Sequence, residues 1–248
     1  MPIILRSLWG RLLTLVVNLR RIGNPPVGRR LDTWQLLFRI PYAIRMQVVL
    51  PEQALPAKLT LNPELRMNDD EYYAFCMVNA DVRFERTEQG EIIIAPPAGA
   101  ESDYQSLDVA SQLHVWAKRD GRGKAFGCSA EFILPTRAAL SPDAAWVSNA
   151  RLAQLSREQR RRFPPVCPEF IIEVMSPSDR LRTAREKMET WIRGGVELAW
   201  LIHPDDQSIY VYRPGQNEAE LLTGIAKLAG EGPVAGFELS LTDVWAGL

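Results

Sequence analysis

The 248-residue sequence contains little cysteine and little histidine. Its three cysteines, Cys76, Cys128 and Cys167, lie far apart and form no CxxC pair, which argues against a zinc site and against a disulfide framework. This cysteine usage favours the reducing cytoplasm. The two histidines, His114 and His203, leave few partners for a nucleophile relay, and a structural role is the simpler interpretation for each.

Sequence patterns of several enzyme and membrane classes are also absent. The chain has no glycine-rich phosphate loop and no GxSxG elbow, which argues against P-loop nucleotide hydrolysis and against serine hydrolysis. The longest N-terminal apolar stretch, residues 12–19, is interrupted by Thr14 and Asn18 and is far shorter than the roughly 20 residues that span a bilayer. We therefore predict that the chain has no membrane span and no membrane partner.

Charge is balanced over the whole chain but not along it. The net charge of -1 excludes a uniformly basic coat, so any surface that binds phosphates must be local. Residues 1–45 contain eight arginines and a single acid, Asp32, whereas the rest of the chain is acidic. The contrast predicts a basic N-terminal extension over residues 1–45, disordered or not native, and a folded domain over residues 60–248.

Periodicity and turn residues predict alternating helices and strands from Met67 onward. The predicted strands cover residues 81–85, 91–95, 125–134, 144–148, 170–175, 198–202 and 209–212. The first two are predicted to form a hairpin, because Gly90 in the turn between them can supply the positive φ that such a turn needs. The predicted helices are a short one capped by residues 68–70, one of about 15 residues that ends at Asp120, a charged one from Ser156 and one over residues 177–194. This order predicts an α/β sandwich with a mixed sheet.

Glu173 interrupts an otherwise apolar strand. A carboxylate inside a strand that is covered on both faces costs several kcal/mol of desolvation unless a cation pairs with it. Asp143 follows Pro142 at the start of the preceding strand, and two carboxylates that converge on one point suit a hard divalent ion such as Mg²⁺. In the alternative interpretation, Glu173 pairs with an arginine and Asp143 caps a turn.

The helix after Glu173 offers two cations. At about 100° per residue, Lys187 lies on one flank of the apolar stripe, beside Ala184 and Trp191, and Arg185 lies on the other flank. Periodicity alone does not choose between them. A lysine near a metal can orient a water and stabilise negative charge on a phosphate, whereas the alternative role of Lys187 is that of a surface residue with a packed stem.

Several motifs in series resemble one known family. They are Glu85-Arg86-Thr87, Gly90-Glu91-Ile92-Ile93-Ile94, Pro96-Pro97, Gly99-Ala100-Glu101, Ser141-Pro142-Asp143-Ala144-Ala145-Trp146-Val147, Phe163-Pro164-Pro165-Val166-Cys167-Pro168-Glu169-Phe170-Ile171-Ile172-Glu173, Ser176-Pro177-Ser178-Asp179, Glu186-Lys187-Met188, Trp200-Leu201-Ile202 and Tyr212-Arg213-Pro214-Gly215. In order and spacing they resemble the Uma-two family of restriction-endonuclease-like proteins. The resemblance covers residues 60–245, and a series of motifs is far more specific than any one of them.

The resemblance implies the PD-(D/E)XK nuclease fold, a restriction-endonuclease-like mixed central β-sheet flanked by helices. It implies an endonuclease that hydrolyses phosphodiester bonds of DNA with Mg²⁺, or alternatively Mn²⁺, and it is compatible with a homodimer. By carry-over, Asp143 and Glu173 are the metal ligands and Lys187 is the catalytic cation. Glu85 and Glu101 match upstream acidic positions that complete the site.

The chain departs from the family pattern at three places. Met175 stands where the superfamily's usual lysine stands, and the helix-borne lysine of the resembled family maps onto Lys187. His203 replaces a common aspartate, and Asp103-Tyr104-Gln105 replaces a small and amide-rich run. These departures affect the predicted substrate contacts more than the predicted metal centre.

Three functions compete on this evidence. The first is the nuclease, favoured by retention of Asp143, Glu173 and Lys187; on this interpretation Lys187→Ala should lower cleavage and leave the melting temperature nearly intact. The second is a non-catalytic nucleic-acid-binding or accessory module that retains the fold, suggested by the acidic charge of the domain. The third, a two-carboxylate glycosidase, lacks an aromatic sugar platform and conflicts with the resemblance.

Overall fold

The computed structural model describes residues 58–61, 66–80, 82–95 and 97–248, together with the strand backbone at positions 3–6, 12–15, 20–21, 33–39, 45–51 and 57. It divides into two compact units. The first unit comprises Met1–Pro97 with Arg137–Ala139, and the second comprises Ala98–Thr136 with Leu140–Leu248. The sequence predicts that residues 1–45 form an extension that is disordered or not native. The side chains of these residues lie outside the described part of the chain, so this stays a prediction.

In the part of the first unit that the structure describes there are eight strands and one helix. They are β1 (Ile3–Arg6), β2 (Leu12–Leu15), β3 (Arg20–Arg21), β4 (Thr33–Arg39), β5 (Arg45–Pro51), β6 (Ala57–Leu59), α1 (Asp69–Val78), β7 (Arg83–Arg86) and β8 (Ile92–Ala95). Strand β1 pairs with β2 and β4 with β5, while β3, β6, β8 and β7 form an antiparallel sheet in that order. Strands β7 and β8 are the hairpin that the sequence predicts.

Local signals set the ends of these elements. Asn68 and Glu71 form a reciprocal capping box at the start of α1, with both hydrogen bonds at 2.9 Å, and Tyr72 and Phe75 of this helix are buried. Gly90 has φ 78° in the turn between β7 and β8, a conformation that glycine adopts without steric cost. The predictions for α1 and for this hairpin are thereby confirmed.

A buried arginine holds the first unit together. Arg86 of β7 is only 1% exposed. Its guanidinium donates to the Asp69 carboxylate, to the Met67 carbonyl at 3.3 Å and to the Arg137 carbonyl at 3.1 Å, and it lies over the Tyr72 ring. These partners satisfy a charge that would otherwise be costly to bury, and they attach the 137–139 segment to the first unit.

Apart from Arg137–Ala139, the chain from residue 98 onward forms the second unit around a mixed sheet. Its elements are α2 (Ala100–Asp120), β9 (Gly123–Gly127), β10 (Phe132–Ile133), β11 (Ala139–Leu140), β12 (Ala144–Ser148), α3 (Asn149–Ala153), β13 (Phe170–Val174), α4 (Leu181–Gly194), β14 (Leu198–His203), β15 (Ser208–Tyr212), β16 (Glu220–Thr223), β17 (Lys227–Ala229), β18 (Glu238–Ser240) and α5 (Thr242–Ala246). The sheet order is β16-β15-β14-β13-β12-β9, and β17 pairs separately with β18. Strands β13 and β14 are parallel and the other neighbours in this sheet are antiparallel.

Helices α2 and α4 cover opposite faces of this sheet. Phe170 and Ile172 of β13 belong to the same buried cluster as Val109 and Leu113 of α2. Because strand side chains alternate between faces, Glu173 points to the other face, where it contacts α4. The predicted mixed α/β fold flanked by helices is confirmed, and its central strand carries the carboxylate that the sequence singles out.

Four predicted elements of the second unit are wrong in extent. Helix α4 begins at Leu181 instead of residue 177, because residues 176–179 form a turn in which the Asp179 N–H donates to the Ser176 carbonyl at 2.9 Å. The run 125–134 is not one strand, because β9 ends at Gly127, where the Ala130 N–H bonds back to the Gly127 carbonyl, and only the short β10 follows. Helix α2 has 21 residues instead of about 15, since its polar first turns are also packed. The helix from Ser156 is a single 3-10 turn, Gln159–Arg161, and α3 before it was not predicted.

Among the described residues, no helix combines the length and the apolar character needed to cross a bilayer.

Candidate active site

The pairing of β12 with β13 sets the position of the two candidate metal ligands. In this antiparallel pair Ala144 is opposite Ile172. Continued by one residue, the register places Asp143 opposite Glu173, and directly opposite residues of an antiparallel pair point to the same face. The two acids therefore come from adjacent strands at one end of the sheet, as the sequence predicts.

Asp143 is held by the backbone of β13. Its Oδ2 accepts a hydrogen bond from the Val174 N–H at 2.8 Å. Asp143 directly precedes β12 and Val174 is the last residue of β13, so this hydrogen bond joins the ends of the two strands. This contact fixes the carboxylate at the end of the strand pair beside Glu173.

Glu173 is paired with a lysine. Its side chain is 12% exposed, and Oε1 accepts from the Lys187 ammonium at 2.9 Å and from the Trp191 indole N–H at 2.9 Å. Lys187 and Trp191 are four residues apart on α4 and therefore share one helix face. The cation that the burial of Glu173 requires is thus supplied by α4.

Lys187 also reaches the segment that carries Asp143. Its Nζ donates to the Ser141 carbonyl at 3.1 Å, two residues before Asp143. The ammonium therefore links the start of β12 with the end of β13. Sequence patterns did not predict the contacts of Lys187 with the Ser141 carbonyl or of Glu173 with Trp191. A backbone carbonyl carries no residue-type signal. The apolar stripe includes Trp191, and only its spacing from Lys187 indicates that both side chains share one face.

Arg185 lies on the other flank of α4. Its guanidinium is 4.6 Å from the centroid of the Tyr210 ring on β15. Burial raises the pKa of the neighbouring Tyr212 to about 12, although the positive charge of Arg185 opposes this rise. The two candidate cations therefore have different partners, since Lys187 contacts Glu173 and Arg185 lies over the Tyr210 ring.

Residues 69–242 match the Uma2 family, which is described as "Putative restriction endonuclease". This chain belongs to the Uma2 family. A solved structure from Anabaena variabilis, described as a "putative nuclease belonging to DUF820", has a TM-score of 0.56 and 23% identity over 66% of this chain and 89% of that chain. This likeness shows the fold. No curated protein matches the chain significantly.

Membership of the Uma2 family confirms the family that the sequence motifs resemble. It supports a nuclease function and nucleic acid as the substrate class.

The two upstream acids of this Uma2 protein lie in different units. Glu85 is half-buried on β7 of the first unit. Glu101 is exposed in the first turn of α2, where its Oε1 accepts from the Leu248 N–H at 3.4 Å. A carboxylate in the first turn also interacts favourably with the helix dipole. The part of Glu85 and Glu101 in the site stays a prediction.

The donor set around β12 and β13 is small. Within the described residues there is no group of three or more histidine, cysteine or acidic side chains that could hold a metal. Asp143 and Glu173 offer carboxylate oxygens only, and Mg²⁺ is typically bound through one or two carboxylates together with waters and substrate phosphates. The residues present therefore fit Mg²⁺ and do not form a closed protein cage.

The departures of this chain from the Uma2 pattern have structural explanations. Met175 is buried, and its N–H donates to the Ile202 carbonyl at 2.9 Å. His203 closes the turn after β14, where Nδ1 accepts from the Asp206 N–H at 3.3 Å and Nε2 lies 3.5 Å from the Asp206 carboxylate. The structural role predicted for His203 is consistent with these contacts, whereas His114 is exposed on α2.

Proposed function

We propose that this protein is a metal-dependent endonuclease that hydrolyses phosphodiester bonds of DNA. The observation that carries the proposal is the meeting of Asp143, Glu173 and Lys187 at one end of β12 and β13, in a chain of the Uma2 family. Two carboxylates and an ammonium are the residue types that metal-dependent phosphodiester hydrolysis requires.

Asp143 and Glu173 would hold Mg²⁺, with Mn²⁺ as the alternative ion. Such an ion supplies Lewis acidity toward a phosphoryl oxygen and lowers the pKa of a bound water. The Val174 N–H holds the Asp143 carboxylate, and the Trp191 indole N–H holds the Glu173 carboxylate. Both acids are therefore positioned before substrate binds, which reduces the reorganisation that the reaction needs.

Lys187 would act on the substrate phosphate. Its ammonium is held between the Ser141 carbonyl and the Glu173 carboxylate, at 3.1 and 2.9 Å. An ammonium at this point can donate to a phosphate oxygen and stabilise the negative charge that develops as water attacks. Arg185 would take no such part, because its guanidinium covers Tyr210.

One observation favours a second candidate, a nucleic-acid-binding module that does not cut. Glu173 already pairs with Lys187 through an oxygen that Trp191 also contacts, so its buried charge is compensated without a metal. In such a module the same residues would serve stability alone. The two candidates differ in one measurable property, the cleavage of DNA in the presence of a divalent metal.

The deciding experiment incubates the purified full chain with supercoiled plasmid and with single-stranded DNA, in Mg²⁺, Mn²⁺ or EDTA. If the protein is a nuclease, it should nick the plasmid with either metal and leave it intact in EDTA. Asp143→Asn should lose this cleavage, whereas the matched control Arg185→Ala should cut normally. Binding without cleavage under every metal condition would support the second candidate and reject the first.

Further expectations from the sequence stay predictions alongside this proposal. They are a cytoplasmic protein, a nuclease domain over residues 60–248 and a homodimer. Light scattering of the purified chain measures the last of these directly.

A further inference from the structure

The connection from β12 to β13 is rich in arginine. Residues 151–162 hold five arginines and one acid, although the chain as a whole has a net charge of -1. Arg157, Arg160 and Arg161 are exposed, and we call these three residues the arginine patch. A local concentration of positive charge on an otherwise balanced chain is the expected form of a phosphate-binding surface.

The other two arginines of this connection are engaged by acids. Arg151 contacts Glu169 at 3.0 Å and Glu197 at 2.6 Å, and Arg162 lies 3.9 Å from Glu158. By contrast, within the described part of the chain no salt bridge involves any member of the arginine patch. The patch therefore keeps its charge available for a ligand.

The backbone of the arginine patch is fixed. The Ser156 N–H donates to Gln159 Oε1 at 2.9 Å, the Gln159 N–H donates to Ser156 Oγ at 3.1 Å, and the Arg160 N–H donates to the Ser156 carbonyl at 3.1 Å. This reciprocal cap holds the 3-10 turn Gln159–Arg161. A fixed turn lowers the entropy cost of presenting several guanidinium groups to one ligand.

Arg160 also lines a groove with residues of β9 and α3. The groove has a volume of about 460 Å³, and its other lining residues include Lys124, Phe126, Asn149 and Leu152. Two cations thus border a largely apolar surface that includes an aromatic ring. Phe126 is half-buried, and cationic side chains beside an accessible part of an aromatic ring are typical of sites that bind a nucleic-acid strand through phosphates and bases.

The patch and the carboxylate pair lie at opposite ends of the same two strands. Asp143 and Glu173 are at the start of β12 and near the end of β13, whereas the patch is in the connection that leaves the other end of β12. Five residues of strand separate these ends by roughly 17 Å at 3.3 to 3.4 Å per residue. Along a nucleic-acid strand this distance corresponds to about five nucleotides at 3.4 Å each.

We propose that the arginine patch, with Lys124 and the adjoining groove, binds the phosphate backbone of a nucleic-acid strand at a position separate from the carboxylate pair. The inference rests on the proposed function in one respect, namely that the bound strand is the substrate. The occupant is a nucleic acid because its phosphates complement the positive charge and its bases complement the apolar groove.

The test measures binding in EDTA, where no cleavage is expected. Fluorescence anisotropy of a labelled 30-nucleotide DNA, single-stranded and as a duplex, is followed against salt for the full chain. Substitution R157Q/R160Q/R161Q should weaken binding by on the order of tenfold or more, and should reduce the salt slope by about 2 to 3, as expected when that many phosphate contacts are lost.

A single-charge comparison controls for net charge. Lys227 on β17 is exposed and pairs with Glu238, so Lys227→Gln removes the same charge as Arg160→Gln from a different surface. Only Arg160→Gln should weaken binding and lower the salt slope. Equal effects of both variants, or wild-type binding by the triple variant, would overturn the proposal.

Cleavage of DNA of different lengths separates this proposal from the proposed function. With Mg²⁺, the triple variant should cut a substrate too short to reach the patch as well as wild type does, and should cut a long substrate more weakly. If both proteins cut long substrates equally well, the proposed role of the arginine patch would be rejected and the proposed nuclease activity would stand. A wild-type chain that binds DNA through the patch but never cuts would reject the proposed nuclease activity and leave the patch supported.

Discussion

The ion pair between Lys187 and Glu173 gives the most direct test of the site. We consider Lys187→Met, which removes the ammonium but keeps most of the stem and so leaves little cavity. The substitution takes the cation from a carboxylate whose side chain is 12% exposed, and from the Ser141 carbonyl. Only the Trp191 N–H then remains of the two donors described at Glu173 Oε1.

The expected cost follows from the burial of the pair. A hydrogen bond to a charged group contributes about 1.5 to 3 kcal/mol, and breaking a fully buried pair costs about 3 to 5 kcal/mol. Lys187 is 27% exposed, so water partly replaces what is lost and about 2 kcal/mol is the reasonable value. For a chain of this size the melting temperature should fall by about 4 to 8 °C.

This expectation replaces the one drawn from the sequence, in which Lys187 acted mainly on the transition state and its loss left the melting temperature nearly intact. The assay is thermal unfolding followed by circular dichroism in EDTA, with Arg185→Met as the matched control because its guanidinium covers Tyr210. The control should lose only about 0.5 to 1 kcal/mol. Plasmid cleavage with Mg²⁺ should fall by on the order of 10² or more in Lys187→Met alone.

A double-mutant cycle with Glu173→Gln identifies the cause. If the cost arises from an unpaired buried charge, Glu173→Gln/Lys187→Met should be more stable than the sum of the single changes predicts. Strict additivity, or a melting temperature within about 1 °C of wild type in Lys187→Met, would refute the reasoning.

Four further predictions concern separate parts of the chain. Asp143→Asn should lower metal-dependent cleavage by on the order of 10² or more, and isothermal titration with Mg²⁺ should show weaker binding; unchanged cleavage would remove Asp143 from the site. Burial raises the pKa of Cys167 from 9.0 to about 12, so the stability that the neutral thiol contributes below pH 9 should be lost as the pH rises from 9 to 12. Urea unfolding should show that the free energy of unfolding falls less steeply over this range in Cys167→Ala than in wild type. At pH 8 a thiol reagent should modify the half-buried Cys128 before Cys167, and Cys128→Ser should abolish the fast phase. A protein that begins at Met46 should fold and melt within a few degrees of the full chain; insolubility would show that residues 1–45 belong to the fold.

The central strand and the helix after it could be predicted from the sequence because their signals are local and strong. An apolar run with one acid indicates a covered strand, and β13 is one. The spacing of Met188, Trp191 and Ile192 indicates the buried face of α4. The same periodicity placed Lys187 and Arg185 on different flanks, but only the packing of α4 on the sheet shows which flank meets Glu173.

Two features depend on segments that are distant in sequence and could not be predicted: the start of α2 and the burial of Arg86. Helix α2 begins at Ala100, well before its apolar repeat, since Gln105 is buried there and donates to the Val244 carbonyl at 3.0 Å. The burial of Arg86 depends on carbonyls and an acid distant in sequence, which no pattern around residue 86 records. In both cases a polar residue is buried because a distant segment supplies its hydrogen bonds.

The parallel pairing of β13 and β14 also affects how the second unit folds. Strands β14 and β15 are joined by a short turn and can pair early, because closing a small loop is fast. Strand β13 must instead pair with β14 across α4 and with β12 across the 149–169 connection, and both are slow, non-local steps. Glu173 is on that strand, so we expect the carboxylate pair to assemble after the β14–β15 hairpin has formed. A refolding experiment should therefore recover hairpin fluorescence before it recovers any affinity for metal, and partly folded chains should be unable to cut nucleic acid.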